Sequence, residues 1–497
     1  MAVADAGPAT WRKSPQPRFW LGLVCAVHAL AALLLIGPHF WYEWDETVYI
    51  SQVSRQAPAG LFTAPRARGL TFLVAPVTEL TTSTVALRIY LAVLSSVLMY
   101  AAFRPWLRLR SGAAVPLAAA LFTTLWTSIY YGFEAMPNFY VAVGAVATVA
   151  YFLLTVQGEA DRRHLWLLVG WVTFVALMRP SDAAYLIAPL VVIALLHRSA
   201  ARRQRAFVVV ALFAGAALGS AEWAIEAYTS YGGLLHRLHS ASAENDSGLH
   251  MSLGLEARAA GGPTLCRPCT RAIAPAAFAW WFLVPPLAAI GLVTLRRQRQ
   301  ALVGWAPALA ALSLLAEYLV TIDYAAPRFL IPTYALAALP VAEGALALVR
   351  MRSLWTPRVA VPTLVGLLLV HTAVQLAILE QSIVRVQTQA RLQYLTVAAS
   401  LRAAQVARPC DIVGYYAAPI AFAVGCTDTP TISHRTAVER LVNRPGYEVI
   451  VLTTAPAASD TFYAGWQRVT VHGPHLRHAW FAYVHAPARR ALLNRSH

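Results

Sequence analysis

Residues 19–49 read FWLGLVCAVHALAALLLIGPHFWYEWDETVY. Positions 19–37 carry no formally charged side chain and have about the 20 apolar residues that a helix needs to cross a bilayer. Gly37-Pro38 breaks the run, and from His39 to Tyr49 aromatic side chains alternate with Glu43, Asp45 and Glu46. An interfacial belt accounts for the aromatic rings. It does not account for adjacent carboxylates, because partial desolvation at a membrane surface raises the energy of each charge. Gly37-Pro38-His39 offers no small-x-small cleavage site and bulky aromatics follow it, so the run is expected to remain as an anchor.

Outward from this segment the chain is dominated by similar runs. Its 497 residues are 58% hydrophobic and 13% charged, which excludes a string of ordinary soluble domains. Apolar runs at 19–37, 82–103, 113–131, 138–156, 166–179, 184–197, 206–224, 276–295, 301–322, 329–349 and 359–379 predict an all-α polytopic membrane protein of about eleven transmembrane helices. Arginine fixes its orientation. Residues 1–18 and every second loop hold 18 basic residues, while the much longer opposite set holds nine, so the N-terminus is expected in the cytoplasm and the C-terminus outside. A net charge of +17 would suit nucleic acid, but the basic residues form short clusters between apolar runs rather than a polar domain, so no nucleic-acid partner is read. Lys13 is the sole lysine, a sign of GC-rich coding, and the expected location is a bacterial plasma membrane. Glu79, Glu134, Glu222, Glu226 and Asp323 join the first acidic cluster at outer loops or outer span ends, predicting a carboxylate-lined outer face.

Two outer segments, 38–81 and 225–275, are too long to be mere connectors. The first, broken by Pro58, Pro65 and Pro76, suits short surface helices. Residues 380–497 form an outward tail large enough to own a core. A helical pattern from Val384 to Ala407 and strand patterns at 447–452 and 466–471 predict a small extracytoplasmic α/β domain. Cys410 and Cys426 lie in it, and Cys266 and Cys269 in the loop before it. On the outer side both pairs are expected as disulfides. A redox pair or half a zinc site is the alternative at Cys266-Arg267-Pro268-Cys269, but no second ligand pair follows, and the loop histidines His236, His239 and His250 have no paired spacing. No metal site is read.

One carboxylate of the Asp45-Glu46 pair suits a general base for a hydroxyl, with its neighbour positioning the acceptor or tuning the pKa. The Trp44-Asp45-Glu46 motif after span one, the half-amphipathic first loop, the span count and the outward C-terminal domain together resemble the GT-C superfamily of membrane glycosyltransferases. Within it they resemble the protein O-mannosyltransferase and aminoarabinose transferase group, which uses polyprenyl-phosphate-linked sugars. The resemblance implies a GT-C-like transmembrane domain over 19–379, Asp45 as catalytic base, Glu46 orienting the acceptor, and Trp44 and Tyr49 beside sugar or acceptor. Arg68-Gly69-Leu70 stands where a related subgroup has Lys-Pro-Pro. Leu87-Arg88-Ile89-Tyr90 is similar to the arginine-bearing start of span two, and Arg328-Phe329-Leu330-Ile331-Pro332 to the start of a late span. These matches imply Arg68, Arg88 and Arg328 as donor-phosphate ligands. Glu134, in the tight turn 132–138, occupies the place of a second acidic site that would contact sugar or acceptor. Arg179 and Asp182, one helical turn apart, read as a structural ion pair.

The residue types suit one reaction. Displacing polyprenyl phosphate from an anomeric carbon needs a base for the incoming hydroxyl and cations for the departing phosphate, and arginine contacts phosphate oxygens in pairs. A single displacement inverts the anomeric centre. No cofactor is required, and a divalent cation is the one candidate addition. The expected function is therefore an inverting, polyprenyl-phosphate-sugar-dependent glycosyltransferase, with mannose the first sugar and a pentose the second. Its acceptor is a lipoglycan, cell-wall polysaccharide, protein or secreted lipoglycopeptide. The alternative, a transporter or lipid flippase, would show related halves and mid-span charges. A non-catalytic sensor would leave Asp45, Glu46 and Arg88 unexplained.

Overall fold

The computed structural model describes residues 16–157, 161–197, 201–350, 357–414, 416–429, 434–442, 446–454, 463, 465–473 and 475–485. Most of the expected cytoplasmic N-terminus and the last residues of the tail lie outside these.

Helix α1 spans Pro17–Leu35 and opens on a proline whose fixed φ suits a first turn. The first loop, expected on the outer side, holds two short helices, α2 (Trp44–Ser51) and α3 (Gly69–Thr78). Ser83 accepts the N–H of Ala86 at 3.3 Å and so starts α4 (Thr84–Phe103), which is followed by the single turn α5 (Trp106–Leu109). The expected span at 113–131 is broken: α6 (Ala114–Thr123) and α7 (Trp126–Phe133) meet at 75°. Next come α8 (Pro137–Gln157), α9 (Arg162–Met178) and α10 (Pro180–Leu196). Arg179 between the last two is extended, as a residue before proline prefers, which separates one helix from the next. Long α11 (Arg202–Ser230) leads to α12 (Leu234–Glu244) and α13 (Leu253–Ala259) in the second outer segment. Then α14 (Pro275–Phe278) turns into α15 (Val284–Arg297), followed by α16 (Ala301–Thr321), α17 (Ile331–Arg350) and α18 (Pro357–Ala377).

A helix stands at each of the eleven expected places. Eight are long and apolar enough to cross a membrane, and a ninth if α6 and α7 count as one span; α9 and α10 have 17 residues each. The bundle has a clear inside. Helix α8 is buried along almost its whole length, while α18 turns apolar side chains such as Leu367, Leu369 and Val370 outward, as a lipid-facing helix must. Close approach rests on small residues: a Cβ on Gly344 of α17 would stand 1.9 Å from the Leu287 carbonyl of α15.

After α18 the chain does not leave the helix. A π-helical turn, Ile378–Val384, passes directly into α19 (Arg385–Ala403), so one 46-residue rod runs from the bundle into the tail. The tail folds as β1 (Cys410–Gly414), α20 (Ala417–Val424), β2 (Thr427–Thr429), α21 (His434–Val442), β3 (Glu448–Thr453), β4 (Gln467–Val471) and β5 (Trp480–His485). Strand order is β2-β1-β3-β5-β4, with β2, β1 and β3 parallel and β5 antiparallel to β3 and β4. Ile412, Ile450, Leu452 and Ala482 share a core with Val397 and Leu401 of α19, so the sheet is anchored on the rod.

Candidate active site

The acidic segment folds as it does because it caps itself. Glu43 accepts the backbone N–H of Glu46, while Glu46 Oε2 accepts the N–H of Glu43 at 2.9 Å, a reciprocal pair that starts α2. Asp45 and Glu46 are neighbours on that first turn and so leave the helix about 100° apart. Their environments differ accordingly.

Glu46 points inward and is fully buried. Arg88 of α4 reaches it with Nη1 at 2.6 Å from Oε1 and Nη2 at 2.9 Å from Oε2. The remaining donors of Arg88 go to the carbonyls of Phe40 (2.9 Å), Trp41 (2.8 Å) and Phe133 (2.9 Å), so all five of its N–H groups are engaged. Glu46 also accepts the N–H of Ala135 at 2.9 Å. The pair expected to face substrate is a buried clamp that ties the start of the first outer loop to the turn before α8. Arg88 has no donor left for a phosphate, and Glu46 no face open to an acceptor.

Glu134 lies beside this clamp and is also buried. Its partner comes from the tail: Arg391 of α19 donates to Glu134 through Nη2, reaches Glu46 Oε2 at 3.4 Å and the Tyr130 hydroxyl at 3.2 Å, and lies 3.8 Å from the centroid of Phe40. Burial, and then the charge of Glu46, push the Glu134 carboxyl up to about 8 despite Arg391. Nothing in the sequence near Arg391 marked it, since its role depends on the rod bringing it back to the first loop.

Asp45 alone of the three faces a cavity, of about 420 Å³, between the first outer loop, the turn before α8 and the 324–329 segment. Arg66 Nη2 stands 2.5 Å from its Oδ1 and Arg328 Nη2 3.2 Å from its Oδ2. Burial pushes the Asp45 carboxyl up, but Arg66 and then Arg328 outweigh it and hold the group below the usual carboxylate range. Tyr49 lines the same cavity beneath the Arg66 guanidinium, 5.2 Å from its ring centroid. Asn138, in the first turn of α8, lines it too. Asn138 is 1% exposed, yet both polar atoms of its amide lack a hydrogen-bond partner among the described residues. Arg66 and Asn138 were not singled out from the sequence.

The other expected residues sort clearly. Arg328 borders the cavity and pairs with Asp45. Arg68 turns its guanidinium away to Glu226 (2.5 Å) at the end of α11 and to Gln52 (3.2 Å), and the arginine two residues earlier stands at Asp45 instead. Trp44 packs against the core of the tail, not the cavity. Arg179 and Asp182 pair at 3.6 Å, with Tyr318 donating to Asp182, and the exposed part of Arg179 also borders the cavity. Both disulfides, Cys266–Cys269 and Cys410–Cys426, are formed. The first sits where Cys266 pairs through backbone bonds with Ala325, three residues before Arg328. Among the described residues no group of three His, Cys, Asp or Glu is placed to hold a metal ion, and Asp45 presents its oxygens to guanidiniums, a setting that does not fit a divalent cation.

No protein-family profile matches the chain, and no curated protein sequence matches it significantly. Solved structures do. ArnT from Cupriavidus metallidurans, bound to undecaprenyl phosphate, superposes with a TM-score of 0.54 over 93% of this chain and 98% of its own, at 12% identity. The oligosaccharyltransferase of Archaeoglobus fulgidus in the apo form gives 0.58 over 88% of this chain and 69% of its own, at 13% identity. The chain shares the fold of these two membrane proteins. A further structure of the archaeal enzyme, AglB in complex with an inhibitory peptide and a dolichol-phosphate, matches at 0.53. At these identities the likeness is one of fold, and the site of this chain has to be read from its own side chains.

Proposed function

We propose that the protein is an inverting glycosyltransferase that moves a sugar from a polyprenyl-phosphate donor to an acceptor hydroxyl on the outer face of a bacterial plasma membrane. The observation that carries this reading is Asp45, a carboxylate in an outer cavity with arginines on both of its oxygens. Asp45 takes the proton of the acceptor hydroxyl as that oxygen bonds to the anomeric carbon. The bond from that carbon to the phosphate oxygen breaks, the phosphate keeps the electron pair, and Arg66 and Arg328 balance its new charge. The amide of Asn138 is available to hold a sugar hydroxyl, and a sugar would satisfy polar atoms that the protein leaves unpaired. Two of the structural neighbours were solved with lipid phosphates, which supports a donor of the same chemistry. An apolar groove of about 260 Å³ between α6, α15, α17 and α18, lined by Leu121, Leu287, Val341 and Leu368, suits a hydrocarbon chain.

Mannose is the first sugar to test and a pentose the second, with a lipoglycan, cell-wall polysaccharide, secreted protein or lipoglycopeptide as acceptor. Transfer from radiolabelled polyprenyl-phosphate-mannose to endogenous acceptors, measured in membranes with the wild type and with Asp45→Asn, tests the reading. Transfer that disappears in the variant is expected. Near-normal turnover by Asp45→Asn would remove Asp45 from the chemistry, and no transfer from mannose or pentose donors would remove the reaction itself.

A further inference from the structure

A cavity larger than the one at Asp45 is also present. It measures about 840 Å³ and lies at the opposite end of the bundle, where Arg18 of α1, Arg104 after α4, Arg108 of α5, and Arg163 and His164 of α9 line it with Tyr151 of α8. Arg104 is 16 residues along α4 from Arg88, about 24 Å at 1.5 Å per residue, so this site is separate from the outer one.

Among the described residues none of the four guanidiniums lies within ion-pair distance of a carboxylate, whereas Arg110, from the same loop as Arg108, pairs with Glu343 at 2.5 Å. The one carboxylate in the lining, Asp161, caps α9 by accepting the N–H of Arg163 at 2.8 Å. His164 Nε2 lies 3.1 Å from Arg108 Nη1, and its Nδ1 has no partner among the described residues. The positive-inside rule explains arginine in inner loops. It does not explain four of them around one cavity with no ion pair among the described residues while a neighbour is paired.

We propose that this cavity binds the phosphate of an anionic phospholipid of the inner leaflet. Guanidiniums match phosphate oxygens, basic pockets between helices on the cytoplasmic side take anionic lipid head groups, and the volume falls within the ~300–1,000 Å³ of small-molecule sites. The bound head group joins α1, α4 and α9 where the loops alone leave like charges facing each other.

The test is thermal unfolding of the full-length protein in detergent with phosphatidylglycerol, phosphatidylcholine or inorganic phosphate added. Phosphatidylglycerol is expected to raise the Tm of the wild type while phosphatidylcholine does not. The double variant Arg104→Gln/Arg108→Gln is expected to lose most of that rise, and Arg297→Gln, on the same side but outside the cavity, to keep it. Should the first pair fail to fold, Arg18→Gln/Arg163→Gln is expected to show the same loss. An equal rise in cavity variants and wild type overturns the site. A rise reproduced by inorganic phosphate at the same concentration overturns the lipid as occupant in favour of a soluble phosphate.

Discussion

Asp45 holds Arg66 and Arg328, the two cations that a donor phosphate would need under the proposed reaction. Base and phosphate would then compete for them, and an arriving donor would free a carboxylate that the arginines keep weakly basic. The competition has a sign that can be measured. Asp45→Asn is expected to bind polyprenyl phosphate more tightly than the wild type, on the order of tenfold if the released pairing amounts to about 1.4 kcal/mol. Arg66→Ala is expected to bind it more weakly. Weaker binding by Asp45→Asn would show instead that the carboxylate only holds the arginines in place. Asn138 supports a second prediction at this scale. Since its amide meets no described protein partner, Asn138→Ala is expected to lower kcat/KM for the donor about tenfold, the worth of one hydrogen bond, and to leave the Tm unchanged. Asp45 stood out in the sequence because adjacent carboxylates at an interface are costly to desolvate. Arg66 was not, because Arg66 and Arg68 look alike in sequence and the loop geometry alone sends one to Asp45 and the other to Glu226.

Three buried arginines fasten the first outer loop. Arg88 holds the carbonyls of Phe40 and Trp41, Arg237 of α12 holds those of Ala64 and Arg66, and Arg391 covers Phe40 from above. Arg237 thereby sets the backbone from which Arg66 reaches Asp45. Glu46 keeps Arg88, but removing Arg391 leaves the buried Glu134 carboxyl without its ion-pair partner, so Arg391→Ala is expected to cost about 3–5 kcal/mol of stability. The loss should be smaller in Arg391→Ala/Glu134→Gln, and thermal unfolding of the singles and the double measures it. The pH dependence follows from the same group. Its folded-state pKa, about 8, lies above the ordinary carboxylate value, so the folded protein retains a proton that the unfolded chain releases. Its contribution to stability is therefore complete at pH below the ordinary value and is lost as pH rises through about 8. Wild-type Tm is expected to fall across that window by more than the Tm of Glu134→Gln.

At the scale of the whole molecule, the tail is not a tethered module. The rod from α18 through α19 carries Arg391 into the acid cluster, and α20 sets Phe422 against Trp41 and Tyr42 just before α2. A four-residue Gly/Ser insertion within Ile378–Val384 is expected to abolish transfer, because Arg391 can then no longer be held at Glu134. The same insertion at Gln405, beyond Arg391, is expected to retain more activity, and equal loss from both would separate Arg391 from the coupling. Hydrophobic run length, the asymmetry of arginine between loops and the alternation of the tail strands are local or additive properties. They determined from the sequence alone the eleven helical positions, the acidic segment after the first of them and the α/β character of the tail. Which arginine meets which carboxylate is neither local nor additive. It depends on side chains 21 to 345 positions apart converging in a low-dielectric interior, where every charge must find a partner, and only the tertiary structure decided that Glu46 is a clamp and Asp45 is open.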